Sequence, residues 1–317
     1  MMAIKVENLV KQYKDGVRAL DSLSLQVENG EIFSLLGQNG AGKSSLINIL
    51  TTYLVKTSGT IKVLEKDIEK DCTYIREQIA CVAQRTSIDT HLSMEENMMF
   101  QSRLYKMSSD TAKKRMKDLI RCFELKHYVK YPVSSYSGGV KRRVDIAMNM
   151  MSRPKILFLD EPTVGMDIQS RMDMWDMMKK IRDNFGTTIF LTTHYLEEAD
   201  QLSNTICIMK DGHEVVQASP HDLRKYMHQD VLRICFDRVE QAKICADLLQ
   251  NAISLKSVTV QDNCIIVAIE DSQKEFRAVN SWLLEQNTPF RGIEIAQPSL
   301  DDIFLNLVET SGKGVLS

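Results

Sequence analysis

Hydrophobic and polar positions follow a strand pattern through much of the first two thirds of the chain. Leu23, Leu25 and Val27 alternate with polar neighbours, which predicts a half-buried strand over 22–28, and a similar segment predicts a strand over 3–10. Further apolar runs predict more strands, several of them in the core. These are Ile32–Leu36, Ser58–Val63, Ile79–Gln84, Ile156–Leu159, Thr188–Leu191 and the hairpin strands Ile206–Met209 and His213–Val216.

The pattern changes to a helical one between these strands. From about Ser93 to Val129 the sequence is rich in Met, Lys and Arg and has no strand signal. A helix begins again after Ser137, a good N-cap, and Val140 and Ala147 fall on one face of it. Strands and helices in this order predict an α/β domain over 1–220, with a helical subdomain inserted at about 86–150.

A second domain is predicted over 229–317. Its elements follow in the order βαββαβ, which is typical of a small ferredoxin-like α+β unit. Ser299 is a plausible cap for a closing amphipathic helix over 299–305, and we find no catalytic constellation in this domain. The predicted elements are strand Val231–Phe236, helix Glu240–Gln250, strands Ser257–Val260 and Cys264–Ile269, helix Gln273–Glu285 and strand Arg291–Ile295.

Composition adds few constraints. The 317 residues, with a formal net charge of -2, are enough for two domains with full cores and give no argument for a nucleic-acid partner. The seven cysteines contain no C-x-x-C pair and the six histidines no metal-ligand spacing, so we expect reduced cytosolic thiols. The first residues lack the apolar segment of a signal peptide, and runs such as Cys264–Ile269 are too short to cross a bilayer. Any membrane span is therefore expected from another subunit.

The strongest chemical signal is the segment Gly37–Ser44, which fits G-x-x-x-x-G-K-[ST] between a predicted strand and a predicted helix. Its glycines allow successive backbone N–H groups to face phosphate oxygens at the positive end of the helix. Lys43 adds a charge for the β- and γ-phosphates, and the Ser44 hydroxyl suits Mg²⁺. A plain glycine turn is the alternative, but the Lys-Ser ending favours a nucleoside triphosphate site.

Carboxylates follow the core strand Ile156–Leu159. Asp160 and Glu161 come at its carboxyl end, where a P-loop protein holds Mg²⁺ with one acid and can orient water with another. His194 ends the next core strand at the same edge, where an imidazole could hold the γ-phosphate or the attacking water, although a lone histidine is usually structural.

Three further features are ambiguous alone. Tyr13 fits a half-buried strand end, but near a phosphate loop it is better interpreted as stacking on the nucleotide base. Gln84 can reach a metal, a water or a neighbouring subunit, although most glutamines are simply solvated. The basic run Lys141–Arg143 is interpreted as a solvated helix face.

Together these motifs, over residues 3 to about 220, resemble the ATP-binding subunit of ABC transporters. The resemblance implies an ATPase whose Tyr13 stacks on adenine and whose Asp160, Ser44 and Gln84 hold Mg²⁺. Glu161 would be the general base, with Lys43, Gln84 and His194 also catalytic. The nucleotide-binding residues it implies are Tyr13, Gly37, Asn39, Gly40, Ala41, Gly42, Lys43, Ser44, Ser45, Ser137, Gly138, Gly139 and Asp167.

Some of these residues would act between subunits. The resemblance implies a homo- or heterodimer in which Ser137-Gly138-Gly139, the signature, completes the partner's ATP site and Asp167 bridges the protomers. The signature departs from Leu-Ser-Gly-Gly-Gln at Tyr136 and Val140, and Val164-Gly165-Met166-Asp167 departs from Ser-Ala-Leu-Asp but keeps the aspartate.

The C-terminal region is similar to that of the drug-resistance and antibiotic-exporter branch. This implies a separate transmembrane permease and a cytoplasmic subunit bound peripherally to the inner face of the membrane. A soluble ABC ATPase acting on ribosomes or DNA is the main alternative, but it usually has two cassettes or a long coiled-coil insert. An importer ATPase remains open, whereas a P-loop GTPase lacks support because no Asn-Lys-x-Asp sequence occurs.

Overall fold

The computed structural model describes residues 1–226, 230–253, 255, 257–269, 272–286 and 288–296. The chain divides into two compact units, Met1–Pro220 and His221–Ser317. Pro220 begins a short helix, Pro220–Tyr226, a position that proline suits because the first helical N–H has no intrahelical partner. The closing helix predicted over 299–305, with Ser299 as its cap, lies outside the described residues.

The first unit contains two sheets and several helices. The strands are β1 (Met2–Gln12), β2 (Arg18–Glu28), β3 (Ile32–Gly37), β4 (Ser58–Val63), β5 (Lys66–Asp67), β6 (Ile79–Val82), β7 (Ile156–Asp160), β8 (Thr188–Thr193), β9 (Thr205–Lys210) and β10 (His213–Ala218). The helices are α1 (Lys43–Leu50), α2 (Cys72–Gln78), α3 (Met94–Leu104), α4 (Ser109–Cys122), α5 (Gly138–Asn149), α6 (Ile168–Phe185) and α7 (Leu196–Leu202), followed by α8 (Pro220–Tyr226).

The central sheet has the strand order β10-β9-β3-β8-β7-β6 and is parallel except for β10. Strands β3, β6, β7 and β8 therefore bring their carboxyl ends to one edge. A smaller antiparallel sheet has the order β2-β1-β4-β5. This arrangement gathers the segments that follow β3, β6, β7 and β8, which carry the candidate chemistry.

The central strands are apolar throughout because both faces of the sheet are covered. Leu157 and Leu191 face a core shared with the helical insert. Phe33, Phe158 and Phe190 face the core shared with the antiparallel sheet, and the Phe190 ring lies 5.0 Å from that of Phe33 and 5.4 Å from that of Phe158. Successive residues of one strand thus belong to different cores, which explains the continuous apolar runs in the sequence.

The helical insert is built from α3, α4 and α5, each begun by a serine that caps it: Ser93, Ser108 and Ser137. Met174, Met177 and Met178 of α6 are buried in the core, unlike Met172. Its side chain is 51% exposed because it lies about half a helical turn away from the buried face of α6.

The second unit contains β11 (Asp230–Cys235), α9 (Val239–Ala252), β12 (Ser257–Gln261), β13 (Cys264–Ile269), α10 (Ser272–Glu285) and β14 (Gly292–Ala296). Its antiparallel sheet has the order β12-β13-β11-β14, and both helices contribute to its apolar core. The element order is the predicted βαββαβ, and the ferredoxin-like assignment stays a prediction.

The expectation of reduced thiols is wrong for Cys235 and Cys264, which form a disulfide. They are direct partners on the antiparallel strands β11 and β13, with Cα atoms 4.1 Å apart, but 29 positions apart in the chain. Their spacing carries no pairing signal, so only the strand register brings them together. Cys72, Cys81, Cys122, Cys207 and Cys245 are free.

Candidate nucleotide-binding site

The phosphate loop connects β3 to α1, as predicted. Gly40 and Gly42 have φ values of +88° and +101°, a region that L side chains rarely adopt. A Cβ atom on Gly42 would lie 2.4 Å from the carbonyl oxygen of Ala19, so only glycine fits there. No side chain caps the start of α1, and its first N–H groups are therefore left to a ligand or to water.

Lys43 is held across this loop. Its side chain is buried, and Nζ donates to the carbonyl oxygens of Gly37 at 2.6 Å and Gln38 at 3.1 Å. Burial lowers the pKa of Lys43 below the usual lysine value, while the Glu161 and Asp160 carboxylates act in the opposite direction. A cavity of ≈ 200 Å³ lies beside it, lined by Ala19, Gln38, Asn39, Gly40, Gly42, Lys43, Ser44, Ser45 and Glu161.

The acidic pair lies where β7 ends, next to β8. Thr192 of β8 is the register partner of Asp160; its hydroxyl donates to Asp160 Oδ1 at 2.7 Å and accepts from the Glu161 N–H at 3.1 Å. One threonine thus orients the Asp160 carboxylate and anchors the backbone of Glu161. The sequence analysis missed Thr192, although aligning the carboxyl ends of the two predicted strands would have placed it opposite Asp160.

Glu161 meets two of the other predicted residues. The Gln84 amide donates to Glu161 Oε2 at 3.4 Å, and Nδ1 of His194 lies 3.4 Å from Glu161 Oε1. The three side chains come from the ends of β6, β7 and β8, so the parallel sheet assembles them. A carboxylate between an amide and an imidazole, beside a cavity that Lys43 lines, can orient a water and accept its proton.

Tyr13 lies next to the start of α1. Its hydroxyl is 3.0 Å from the Ser45 hydroxyl, and the residue is 38% exposed. The ring is therefore close to the phosphate loop with solvent-accessible surface, as stacking on a base requires.

Ser137, Gly138, Gly139 and Asp167 are not among the residues that line this cavity. The Ser137 hydroxyl accepts from the Val140 N–H at 3.4 Å, and Asp167 caps α6 by accepting from the Ser170 N–H at 2.9 Å. A Cβ atom on Gly139 would lie 3.0 Å from Ser170 Oγ, so the starts of α5 and α6 pack closely. One chain thus brings the starts of α5 and α6 together, but not into the lining of its own phosphate-loop cavity.

Several charged residues near the site are buried, among them Arg142 and Glu198, and the sequence analysis did not identify them as buried. Arg142 is 4% exposed, so the interpretation of Lys141–Arg143 as a solvated face is wrong for this residue. Glu198 on α7 is 1% exposed; its Oε1 accepts from the Thr163 hydroxyl at 2.8 Å and from Trp175 Nε1 at 3.1 Å, and burial raises its pKa.

The donor set fits the predicted Mg²⁺. Within the described residues no group of three His, Cys, Asp or Glu side chains could hold a metal by itself. A P-loop site does not need such a group, because one hydroxyl, one carboxylate and the phosphate oxygens supply most ligands. Ser44 in the first turn of α1 and Asp160 at the end of β7 offer that hydroxyl and carboxylate.

A glycine loop between a buried parallel strand and a helix, with a buried lysine and an acid at a neighbouring strand end, defines a P-loop nucleotide-binding domain. A family model described as "ABC transporter" matches residues 20–164. The daunorubicin/doxorubicin resistance ATP-binding protein DrrA of Streptomyces peucetius is 35% identical over 306 residues, 96% of this chain and 92% of DrrA.

The linearmycin resistance ATP-binding protein LnrL of Bacillus subtilis is 30% identical over 309 residues, 96% of this chain and 97% of LnrL. The dimeric ATP-binding cassette MJ0796, solved in a post-hydrolysis state with ADP and Pi, is similar in structure with a TM-score of 0.60, 26% identity and coverage of 68% of this chain and 98% of that one. The chain belongs to the ABC transporter family, and its first unit is an ABC ATPase domain; the predicted family, P-loop fold and ATPase activity are confirmed. Among the helices that the structure describes, none is long and apolar enough to span a membrane.

Proposed function

We propose that this chain is the ATP-hydrolysing subunit of an ABC exporter and drives transport through a separate permease. The central observation is the Glu161 carboxylate, flanked by Gln84 and His194 at a cavity that also contains Lys43. Export is supported by relatives whose names refer to drug and antibiotic resistance and whose similarity runs through the second unit as well.

Each residue at the loop would have a distinct task. Lys43 and the N–H groups that begin α1 would hold the β- and γ-phosphates, while Tyr13 would stack on the base. Ser44, Asp160 and Gln84 would hold Mg²⁺, which supplies charge neutralisation when bound. Glu161 would orient the attacking water and accept its proton, with His194 beside it.

Two copies would close head to tail. Ser137, Gly138 and Gly139 would then contact the ATP held by the partner subunit, and Asp167 would lie at the contact between protomers. The proposal is supported by the absence of these residues from the lining of their own chain's phosphate-loop cavity and by the dimeric state of the similar cassette MJ0796. In such an arrangement the permease chooses the substrate. The subunit itself would be peripheral, bound at the inner face of the membrane through the permease.

The test is to capture partners on a tagged Glu161→Gln variant. This change should preserve ATP binding and remove turnover, because the amide keeps the shape of the carboxylate but is not a base. Cells would be solubilised in detergent with Mg-ATP present, and the copurified proteins identified by mass spectrometry. A Lys43→Ala variant, which should not hold ATP, serves as the matched control.

The expected result is a polytopic membrane protein in stoichiometric amount, which would also identify the substrate-selecting component. Ribosomal or DNA-bound partners without a membrane protein would overturn the exporter proposal in favour of a soluble ABC ATPase. Wild-type turnover by Glu161→Gln would show that Glu161 is not the base.

A further inference from the structure

The signature helix α5 carries a buried ion pair that connects it to the catalytic edge of the sheet. Arg142 and Asp145 are one helical turn apart, their side chains are 4% and 1% exposed, and Arg142 Nη1 lies 3.9 Å from Asp145 Oδ2. Two charges at this depth are costly unless they are paired and hydrogen-bonded. Their other contacts therefore show what the pair holds in place.

Arg142 binds two backbone carbonyl groups next to catalytic residues. Its Nη1 donates to the carbonyl oxygen of Ala83, the residue before Gln84. Its Nη2 donates at 3.0 Å to the carbonyl oxygen of Asp160, the group that joins Asp160 to Glu161. One planar guanidinium thus fixes the end of β7 relative to the exit of β6.

Asp145 holds the other side of the Gln84 loop. Its Oδ1 accepts from the Ser87 hydroxyl at 2.6 Å, and its Oδ2 accepts from the Ser87 N–H at 3.3 Å. The pair therefore contacts the loop at Ala83 and at Ser87, on both sides of Gln84. A shift of α5 would therefore move Glu161, the predicted base, in two ways. One is through the carbonyl group of Asp160, and the other is through Gln84, which contacts the Glu161 carboxylate.

We infer that Arg142 and Asp145 are positioning residues that lock the Ser137 start of α5 to the Gln84 loop and the Asp160–Glu161 peptide. The inference rests on the proposed head-to-tail mechanism, in which the start of α5 contacts the partner's ATP. When the start of α5 contacts the ATP of the partner subunit, its position then determines where Gln84 and the Asp160–Glu161 peptide lie. Lys43 and the N–H groups that begin α1, which are proposed to hold the phosphates, make none of these contacts.

Stability alone does not explain the pair, because a buried ion pair can often be replaced by apolar residues of similar volume without loss. This gives a usable variant, Arg142→Met/Asp145→Leu, which removes both charges together and leaves neither unpaired. Arg142→Lys keeps the positive charge but cannot present two N–H groups in the guanidinium geometry. Lys180→Gln/Glu124→Gln is the matched control, since it removes an exposed 2.5 Å ion pair between α6 and the segment after α4.

The experiment measures the steady-state ATPase of the full-length variants and, without Mg²⁺ so that its proposed ligands Asp160 and Gln84 do not contribute, their binding of a fluorescent ATP analogue. For the Met/Leu variant we expect kcat to fall at least about 10-fold, as for other losses of catalytic positioning, while the affinity for the analogue changes less than twofold. Arg142→Lys should recover part of kcat, and the control should match wild type. In a Glu161→Gln background, ATP-driven dimerisation measured by light scattering should weaken for the Met/Leu variant only.

A Met/Leu variant with native circular dichroism and a wild-type kcat would overturn the inference. Equal loss of ATP binding and kcat would do the same, since it would indicate a structural role. Absence of ATP-driven dimerisation in Glu161→Gln itself would instead contradict the proposed head-to-tail mechanism, so the two failures are distinguishable.

Discussion

The starts of helices α1 and α5 are both suited to bind an anion, but they are built differently. The start of α1 has no side-chain cap, follows two glycines with positive φ, and buries Lys43 beside it. The start of α5 is capped by its own Ser137 hydroxyl, and its nearest lysine, Lys141, is not buried. The first presents open N–H groups and a buried lysine at one cavity, whereas Ser137 and Val140 at the second line a different cavity of ≈ 810 Å³.

This difference suggests that the two helix starts have different functions. A helix start with open N–H groups and a buried cation can bind triphosphate without help. At α5 the Ser137 hydroxyl already occupies the capping position at 3.4 Å, a weak contact that a phosphate oxygen can readily replace. The α5 start is therefore suited to report closure of a dimer, and the ion pair behind it is placed to transmit that event.

The largest effect is expected when one residue at each helix start is changed and ATP binding and ATPase activity are compared. Lys43→Ala should lower ATPase activity by about 10²–10³-fold and abolish ATP binding, because it removes the charge that faces the phosphates. Gly139→Ala should lower ATPase activity at least about 10-fold, by displacing α5 from Ser170, while ATP binding by the monomer persists. Equilibrium binding and turnover assays on the same preparations check both.

Gly292→Ala is the control for a mild glycine substitution, since nothing lies within 4 Å of the added Cβ atom and the site is in the second unit. Loss of ATP binding by the Gly139→Ala monomer would contradict the proposed difference between the two helix starts, because the α5 start would then contribute to the nucleotide site of its own chain.

A smaller effect is expected at the base-binding end of the α1 site. Tyr13→Ala should raise KM for ATP about 5–160-fold with kcat little changed, since stacking of a base on an aromatic ring contributes about 1–3 kcal/mol. Tyr13→Phe keeps the ring but loses the 3.0 Å contact with Ser45, so its KM should stay near wild type. If Tyr13→Phe had the same effect as Tyr13→Ala, the hydroxyl contact rather than stacking would be responsible.

The sequence predicted the α1 start far better than the α5 connections, for a physical reason. Gly40, Gly42 and Lys43 act through backbone geometry and charge within one short segment, which leaves a local signature. Thr192 and Asp145 act on residues 32 and 58 positions away, and nothing local distinguishes them from other polar residues. The disulfide between Cys235 and Cys264 escaped the sequence analysis in the same way, because it depends on strand register.

Val140 tests whether the unusual signature is a defect. Its side chain is 5% exposed and belongs to the core of the helical insert, so Val140→Gln would bury an amide there. We expect a loss of about 1–3 kcal/mol in the free energy of unfolding, measured with urea, and no gain in ATPase activity. Val140→Ile is the apolar control. A more active Val140→Gln enzyme would show that the commoner glutamine makes a contact that this chain lacks.

The smallest effect concerns Glu198, which joins the segment before α6 to the helix after His194. Its pKa is raised mainly by burial, so the folded state favours the protonated form. The stability contributed by that proton is complete below the unfolded carboxyl pKa of about 4.3 and is lost as pH rises through the higher folded value. Glu198→Gln should therefore gain up to about 1 kcal/mol over wild type between acidic and mildly alkaline pH, in urea unfolding at a series of pH values. A difference that stays constant with pH would mean that Glu198 remains ionised in the folded protein, balanced by Arg171, whose charge acts to lower its pKa.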